Sequence, residues 1–332
     1  MATNRETISL DAGAAARRMD KLGARREAFL FLIDFLQENS IVLTPHEATE
    51  GGILFDFNGR TNTAPLNEHS PAVSFRKQPP DLERYKRAFS LVQQHIRNGD
   101  SYLLNLTQPT RIEVNLSLHQ IFNYSKAKYR ILVPEKFVVF SPETFVQMKG
   151  SMIVSCPMKG TIDAATEHAR EVLLSDPKET AEHTTIVDLI RNDLSMIARQ
   201  VRVKEFRRID LIRTNQKDLL QMSSEIVGTL SSQWRENVGT LLHQLLPAGS
   251  ISGAPKRRTV EIILEAEEYG RGFYTGVCGY FDGDTLDSGV MIRFVEIIGG
   301  ELFYKSGGGI TASSSLMKEY QELVDKVYVP LV

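Results

Sequence analysis

The stretch SPETFVQMKGSMIVSCPMKGT, residues 141–161, decides the fold class. Two runs rich in apolar and β-branched residues flank Lys149-Gly150, and Pro157 closes the second run. A tight turn at Lys149-Gly150 pairs the runs as a hairpin, with Gln147 and Met148 near Ser151 and Met152. That register sets Glu143 opposite Cys156, so Glu143 and Lys159 fall at the same end of the hairpin. Lys159 stands directly before Gly160 and Thr161, where the strand stops and the backbone turns. A primary amine in that position needs a chemical reason.

A second hairpin signal is VMIRFVEIIGGELFYKSGGGIT, residues 290–311, with its turn at Gly299-Gly300. This register sets Arg293 opposite Ser306, beside Gly307, Gly308 and Gly309. Strand parity puts Met291, Arg293, Val295 and Ile297 on one face. An arginine among apolar neighbours is costly to bury without an anionic partner. Strand-like and helical segments mix without strict alternation, and there is no internal repeat. This favours an α+β fold with antiparallel sheets over a doubly wound parallel sheet.

The best boundary is RKQPPDLERYKRAF, residues 76–89. It separates a short N-terminal part, residues 1–80, expected to pack on a main domain of residues 81–332. Asp81 caps a helix in which Leu82, Tyr85, Phe89, Val92 and Ile96 follow helical spacing, and Gly99 ends it. The first 25 residues read as a poorly ordered start or a short helix. A formal net charge of −2 over 332 residues gives no nucleic-acid or membrane surface. The early apolar run FLFLI, residues 29–33, is too short for a membrane span. The two cysteines, Cys156 and Cys278, form no CxxC pair. A reducing, cytoplasmic setting fits best.

Two segments bring acids onto helix faces. SDPKETAEHTTIVDLIRNDLSMIA, residues 175–198, reads as a helix with Asp176 as N-cap and Pro177 in the first turn. Glu179 and Glu182 share a face that continues through Ile186, Leu189 and Ile190. Acids aligned with a buried stripe need a partner or a raised pKa. Glu179 could instead complete a capping box with Asp176. SSLMKEYQELVDKV, residues 314–327, puts Glu319, Glu322 and Lys326 on one face. That face is either solvated, with an ordinary Glu322–Lys326 pair, or turned toward the first helix across a cleft. Oxygen ligands from facing helices would suit Mg²⁺, with water and substrate completing the shell. Gly307 to Gly309 are either a flexible turn or a place where backbone N–H groups approach an anion. His183 reads as structural. GSISGAPKRRT, residues 249–259, lacks Walker A spacing, and no GxGxxG, GxSxG or HExxH motif occurs.

The blocks GDSYLLNLTQ, SPETF, PMKGT, AEHTTIVDLIRNDL, GSISGAPKRRTVEII, GFYTGVCGYF, IRFVEI and SGGGITASSSLMKEYQELVDKV follow one another from about residue 80 to the C-terminus. In these blocks the sequence resembles the chorismate-utilising enzymes, and among them the aminodeoxychorismate synthase component I branch. The resemblance implies a complex α+β fold, two antiparallel sheets stacked as a sandwich with helices outside. It implies Mg²⁺ held mainly by Glu182 and Glu322, with Glu179 and Glu319 touching the metal or its waters. The metal would neutralise the ring carboxylate of chorismate. Arg293 and Lys326 would take carboxylate charge, and the backbone of Gly307, Gly308 and Gly309 would donate hydrogen bonds. Gly160, Thr161 and Tyr274 match further substrate-contacting positions.

The resemblance also gives the opening lysine its reason. The motif reads P-x-K-G-T in the aminodeoxychorismate synthases and P-x-A-G-T in the anthranilate synthases, and here it carries Lys159. By resemblance Lys159 attacks C2 of the ring as the C4 hydroxyl leaves, and ammonia from a separate glutaminase subunit then displaces it. Desolvation can supply the neutral amine this needs. Glu143 would be the general acid for the leaving hydroxyl. Two positions depart from the family pattern. Leu103 stands where a glutamine is common, and where water-adding relatives place a lysine that activates water. Gln221 stands where many relatives have histidine. Anthranilate synthase component I is the neighbouring alternative. A non-catalytic partner subunit that keeps the fold is the alternative of another class.

Overall fold

The computed structural model describes residues 9–64, 71–212 and 218–330. Two antiparallel sheets form its frame. The first runs, in spatial order, β11 (Met158–Asp163), β13 (Leu219–Thr229), β10 (Met152–Ser155), β9 (Thr144–Lys149), β16 (Leu286–Val290), β15 (Val277–Phe281), β1 (Phe29–Ile33) and β2 (Ser40–Leu43), with β12 (Arg199–Ile212) also paired to β13. The second runs β14 (Gly253–Ala254), β6 (Leu103–Val114), β18 (Glu301–Ile310), β17 (Phe294–Ile298), β8 (Phe137–Ser141), β7 (Tyr129–Val133), β3 (Leu54–Phe57) and β4 (Arg60–Thr61), with β5 (Phe75–Gln78) paired to β6. The helices are α1 (Ala12–Ala24), α2 (Pro45–Glu50), α3 (Leu82–Arg97), α4 (Leu118–Tyr124), α5 (Ala169–Ser175), α6 (Pro177–Ser195), α7 (Val238–Leu245), α8 (Lys256–Glu267) and α9 (Leu316–Asp325).

Strand β1 explains the stacking. All five residues of FLFLI are fully buried. Leu30 and Leu32 join Phe55, Phe57, Ile131 and Val139 in a core between the sheets. Phe29, Phe31 and Ile33 point the other way, onto Ala15, Met19 and Leu22 of α1 and Leu242 of α7. A continuous apolar run is what a strand buried on both faces requires. The outer face of the second sheet packs Ile112, Val138 and Val295 against Leu118, Ile121 and Phe122 of α4. The segment before Asp81 does more than pack on a main domain. It supplies β1 and β2 to the first sheet and β3, β4 and β5 to the second. The short helix expected near the N-terminus is α1, while residues 1–8 lie outside the described ones.

Both hairpins form, with two corrections. The first turns at Gly150-Ser151, since Lys149 pairs with Met152 and Met148 with Ile153. Gly150 has φ +60°, and a two-residue turn with glycine first accepts that angle, so the pairing slips past the expected one. The second hairpin turns at Gly299-Gly300 as expected, with Phe294 opposite Lys305. However, Arg293 has φ +56° and precedes the ladder, which breaks the expected parity. Met291 consequently packs between the sheets with Phe294, while Val295 and Ile297 face the outer core.

Candidate active site

One end of the first sheet carries the lysine. On β11, Lys159 lies opposite Met222 and Thr161 opposite Gln221, with a register shift between them. Gly160 takes φ +72° within that shift. A Cβ there would sit 2.9 Å from Leu173 of α5 and 3.0 Å from Oε2 of Glu179 on α6. Only glycine lets these helices close over the strand, which holds Lys159 against α6. The Lys159 Nζ reaches Oε2 of Glu182 at 3.4 Å. The Glu182 residue is 8% exposed and the lysine side chain 27%. The α6 N-terminus forms as expected, with Asp176 accepting from the Glu179 N–H. His183 is fully buried, bonds Ser224 at 2.7 Å, and is pushed down to about 4 by burial and by the nearby Arg207 and Lys159 charges, so it stays neutral.

The second sheet contributes the glycines. Gly307, Gly308 and Gly309 lie inside β18, opposite Thr107, Leu106 and Asn105. They form neither a flexible turn nor a nest after the strand, because β6 holds them in an extended ladder. They extend past the β17 ladder, whose last pair is Phe294 with Lys305, so that edge of β18 is open. The Gly307 carbonyl faces it and accepts from Lys326 Nζ at 2.9 Å. By strand parity the N–H groups of Gly307 and Gly309 point the same way. A Cβ on Gly309 would lie 3.5 Å from Lys159 Nζ. A Cβ on Gly308 would lie 3.4 Å from Glu322 Oε1 and 3.6 Å from Glu319 Oε2. The glycine strand thus separates the lysine from the α9 acids by only a backbone's thickness.

On α9, Glu319 is 2% exposed, whereas Glu322 pairs with Lys326 at 2.7 Å. The expected ordinary pair is therefore present and partly solvated, with the Lys326 and Glu322 side chains 36% and 46% exposed, while Glu319 on the same helix is buried. Burial lowers the Lys326 pKa, and Glu322 opposes this. Among the described residues no carboxylate pairs with Arg293. It donates to the Lys326 carbonyl at 3.0 Å and stacks over the Tyr328 ring at 4.9 Å. Tyr274 is buried in the inter-sheet core, edge-on to Phe294 at 5.8 Å. Thr161 is exposed at the rim, where Gln221 reaches it at 3.4 Å.

Glu143 lies just before β9 and accepts a hydrogen bond from Ser250 Oγ at 2.7 Å. Desolvation raises its pKa, while Ser250, Lys159, Lys326 and Arg293 pull the other way. All three cations are thus near enough to act on one carboxyl group. A small cavity adjoins it, lined also by Ser155, Pro157 and Asp193. Among the described residues no group of three or more His, Cys, Asp and Glu side chains converges as a ready-made metal cage. The acids instead form two pairs, Glu179 with Glu182 on α6 and Glu319 with Glu322 on α9. Mg²⁺ keeps several waters and takes one or two carboxylates plus substrate oxygens, so paired acids around a Cβ-free strand fit it.

The family model described as chorismate binding enzyme matches residues 33–332. The chain belongs to the chorismate-binding enzyme family. Relatives of this chorismate-binding enzyme include an "Uncharacterized PabA-like protein" from Haemophilus influenzae, 47% identical over 93% of this chain and 94% of the relative. Aminodeoxychorismate synthase component 1 of Bacillus subtilis is 32% identical over 78% of this chain and 59% of its own length. Among solved structures, the menaquinone-specific isochorismate synthase of Escherichia coli matches the fold with a TM-score of 0.74 at 18% identity, over 96% of this chain and 82% of that one. No described helix of the chorismate-binding enzyme is long and apolar enough to cross a membrane.

Ser250 is the site residue that sequence reasoning missed. Its block, GSISGAPKRRT, lacks phosphate-loop spacing and enters the family resemblance only as a motif, with no role for the serine. The lysine of that block, Lys256, pairs with Asp193 at 2.7 Å and caps the Leu245 carbonyl. The serine is held between Ala248, whose carbonyl accepts from Ile251, and β14, which pairs with β6.

Proposed function

We propose that this chain is an aminodeoxychorismate synthase component I, converting chorismate and ammonia to 4-amino-4-deoxychorismate for para-aminobenzoate and folate synthesis. The observation that carries the reading is the Lys159 amine, set by the Gly160 bulge beside Glu182, with the raised-pKa carboxyl of Glu143 in electrostatic reach. Lys159 Nζ would bond to C2 while the ring double bonds shift and the C4–O bond breaks. Glu143 would give its proton to that oxygen, which leaves as water. Ammonia would then bond to C4 as the Nζ–C2 bond breaks, which frees the lysine. A separate glutaminase subunit would supply the ammonia.

Glu182 and Glu322 would hold Mg²⁺, with Glu179 and Glu319 touching it or its waters. When bound, the ion would neutralise the ring carboxylate. Arg293, Lys326 and the open N–H groups of β18 suit a carboxylate. Leu103 supports amination over hydration. Its Cδ1 would meet a Gly309 Cβ at 3.0 Å, on the side where that Cβ also approaches Lys159. It therefore offers an apolar wall beside the nucleophile and no base to activate water.

The test is incubation with chorismate, Mg²⁺ and an ammonium salt, with product mass and pyruvate both measured. Aminodeoxychorismate without pyruvate is expected. Anthranilate with pyruvate would overturn the reading in favour of the tryptophan branch. Chorismate binding without turnover would point to a non-catalytic subunit.

A further inference from the structure

The hydroxyl of Tyr85 is a buried polar group that the proposed reaction leaves unused. Tyr85 lies on α3, is 1% exposed, and packs its ring against Tyr320 of α9 at 5.4 Å and Phe89 at 6.3 Å. A phenylalanine would fill that space as well. Yet the position carries a hydroxyl, and the hydroxyl has no hydrogen-bond partner. Buried polar atoms without partners are rare, and each one calls for an explanation. Neighbouring hydroxyls behave normally: Tyr320 donates to the Pro80 carbonyl at 2.7 Å.

Helix α3 packs on α9, and the residue after Glu319 is the Tyr320 that meets the Tyr85 ring, so the α9 acids are the charged neighbours of Tyr85. Burial raises its pKa well above the ordinary phenol value, and the carboxylates of Glu319 and then Glu322 raise it further. The phenol is thus a protonated donor beside acids, yet it bonds neither of them. Glu322 is turned to Lys326 at 2.7 Å. Glu319 is 2% exposed, and its Oε2 lies 3.6 Å from where a Cβ of Gly308 would stand.

We propose that Tyr85 is a positioning residue for a divalent cation at the α9 acids, its O–H donating to the Glu319 carboxylate once the cation is bound. This rests on the reading that α6 and α9 hold such a cation. A ligand carboxylate uses one oxygen on the metal and keeps acceptor capacity on the other. A donor behind it fixes its orientation, as outer partners of metal ligands commonly do.

The experiment is a titration of the metal-free protein with Mn²⁺, followed by electron paramagnetic resonance, on wild type and Tyr85→Phe, with thermal melts of both. Tyr85→Phe is expected to bind Mn²⁺ about tenfold more weakly, the usual scale for losing an outer partner. Its metal-free form is expected to melt at or above the wild-type temperature, because a buried hydroxyl without a partner has been removed. Equal Mn²⁺ affinity in the two proteins would overturn the role of Tyr85 and leave the cation site standing. Failure of the wild type to bind Mn²⁺ would overturn the cation reading itself, and this proposal with it.

Discussion

Replacing Ser250 with alanine tests the proposed proton donor, Glu143, through its hydrogen-bond partner. Ser250 Oγ donates to Glu143 Oε1 at 2.7 Å, and the carboxylate form gains from that bond. Burial is the larger influence and already favours the protonated form. A hydrogen bond to a charged group contributes about 1.5–3 kcal/mol. Its removal shifts the protonation equilibrium of Glu143 toward the acid by roughly tenfold or more, since ten-fold corresponds to about 1.4 kcal/mol. A general acid must be protonated to act, so the rate falls as pH rises through its pKa. Ser250→Ala should therefore move the alkaline limb of the kcat–pH profile to higher pH. Ser250→Thr, which keeps a hydroxyl, should leave the limb near its wild-type position. The assay must hold free ammonia, rather than total ammonium, saturating at each pH. An alkaline limb that stays put, or moves to lower pH, would refute Glu143 as the proton donor tuned by Ser250.

Lys159→Ala should abolish aminodeoxychorismate formation without unfolding the protein, because the side chain projects from a bulge and is 27% exposed. Product analysis and circular dichroism check this, and unchanged turnover would sink the nucleophile role. Glu322→Gln should weaken Mg²⁺ and chorismate binding together, as read by calorimetry, and an unchanged magnesium titration would remove Glu322 from the metal site. Glu267→Gln tests the support beneath the glycine strand. Glu267 pairs with Arg271 at 2.6 Å and accepts from the Thr107 N–H at 2.8 Å, opposite Gly307, with both side chains about 1% exposed. Breaking a buried pair of this kind costs about 3–5 kcal/mol. At about 1.4 °C per kcal/mol for a chain of this size, scanning calorimetry should show a loss of about 4–7 °C.

Local chemistry made much of this legible. Asp81, Asp176 and Gly299-Gly300 mark ends and turns through backbone rules, and the helices and the second hairpin begin and turn there. The turn at Gly150-Ser151 was harder, because either of two dipeptides offers glycine at a turn position, and only the glycine-first choice matches φ +60°. Arg293 departs from a regular face because its backbone is left-handed, at φ +56°, just before β17 begins. Parity arguments hold only while every residue stays extended. The strand character of Gly307 to Gly309 was invisible for a related reason. Glycine has low strand preference, and what holds these three extended is β6, about two hundred residues earlier in the chain. Ser250 and Tyr85 act through partners far away in sequence, so no spacing rule reports them.

The charge of the site then constrains what can enter it. The four glutamates on α6 and α9 and the three cations Lys159, Lys326 and Arg293 together carry a formal charge of −1. Two of these cations are already engaged by two of the acids, and the third is spent on a carbonyl and a tyrosine ring. A dianionic substrate would bring the formal charge to −3 in a partly buried cleft. Like charges about 4 Å apart repel by about 4 kcal/mol each at an effective dielectric constant near 20. A divalent cation returns the sum to −1 and gives the glutamates a partner other than the lysines. On the proposed reading, cation and substrate should therefore bind with positive coupling. Chorismate affinity should rise with Mg²⁺ concentration, and by linkage Mg²⁺ affinity should rise by the same factor with chorismate. Calorimetric titrations run in both orders measure that factor, and independent binding would rule out the shared site.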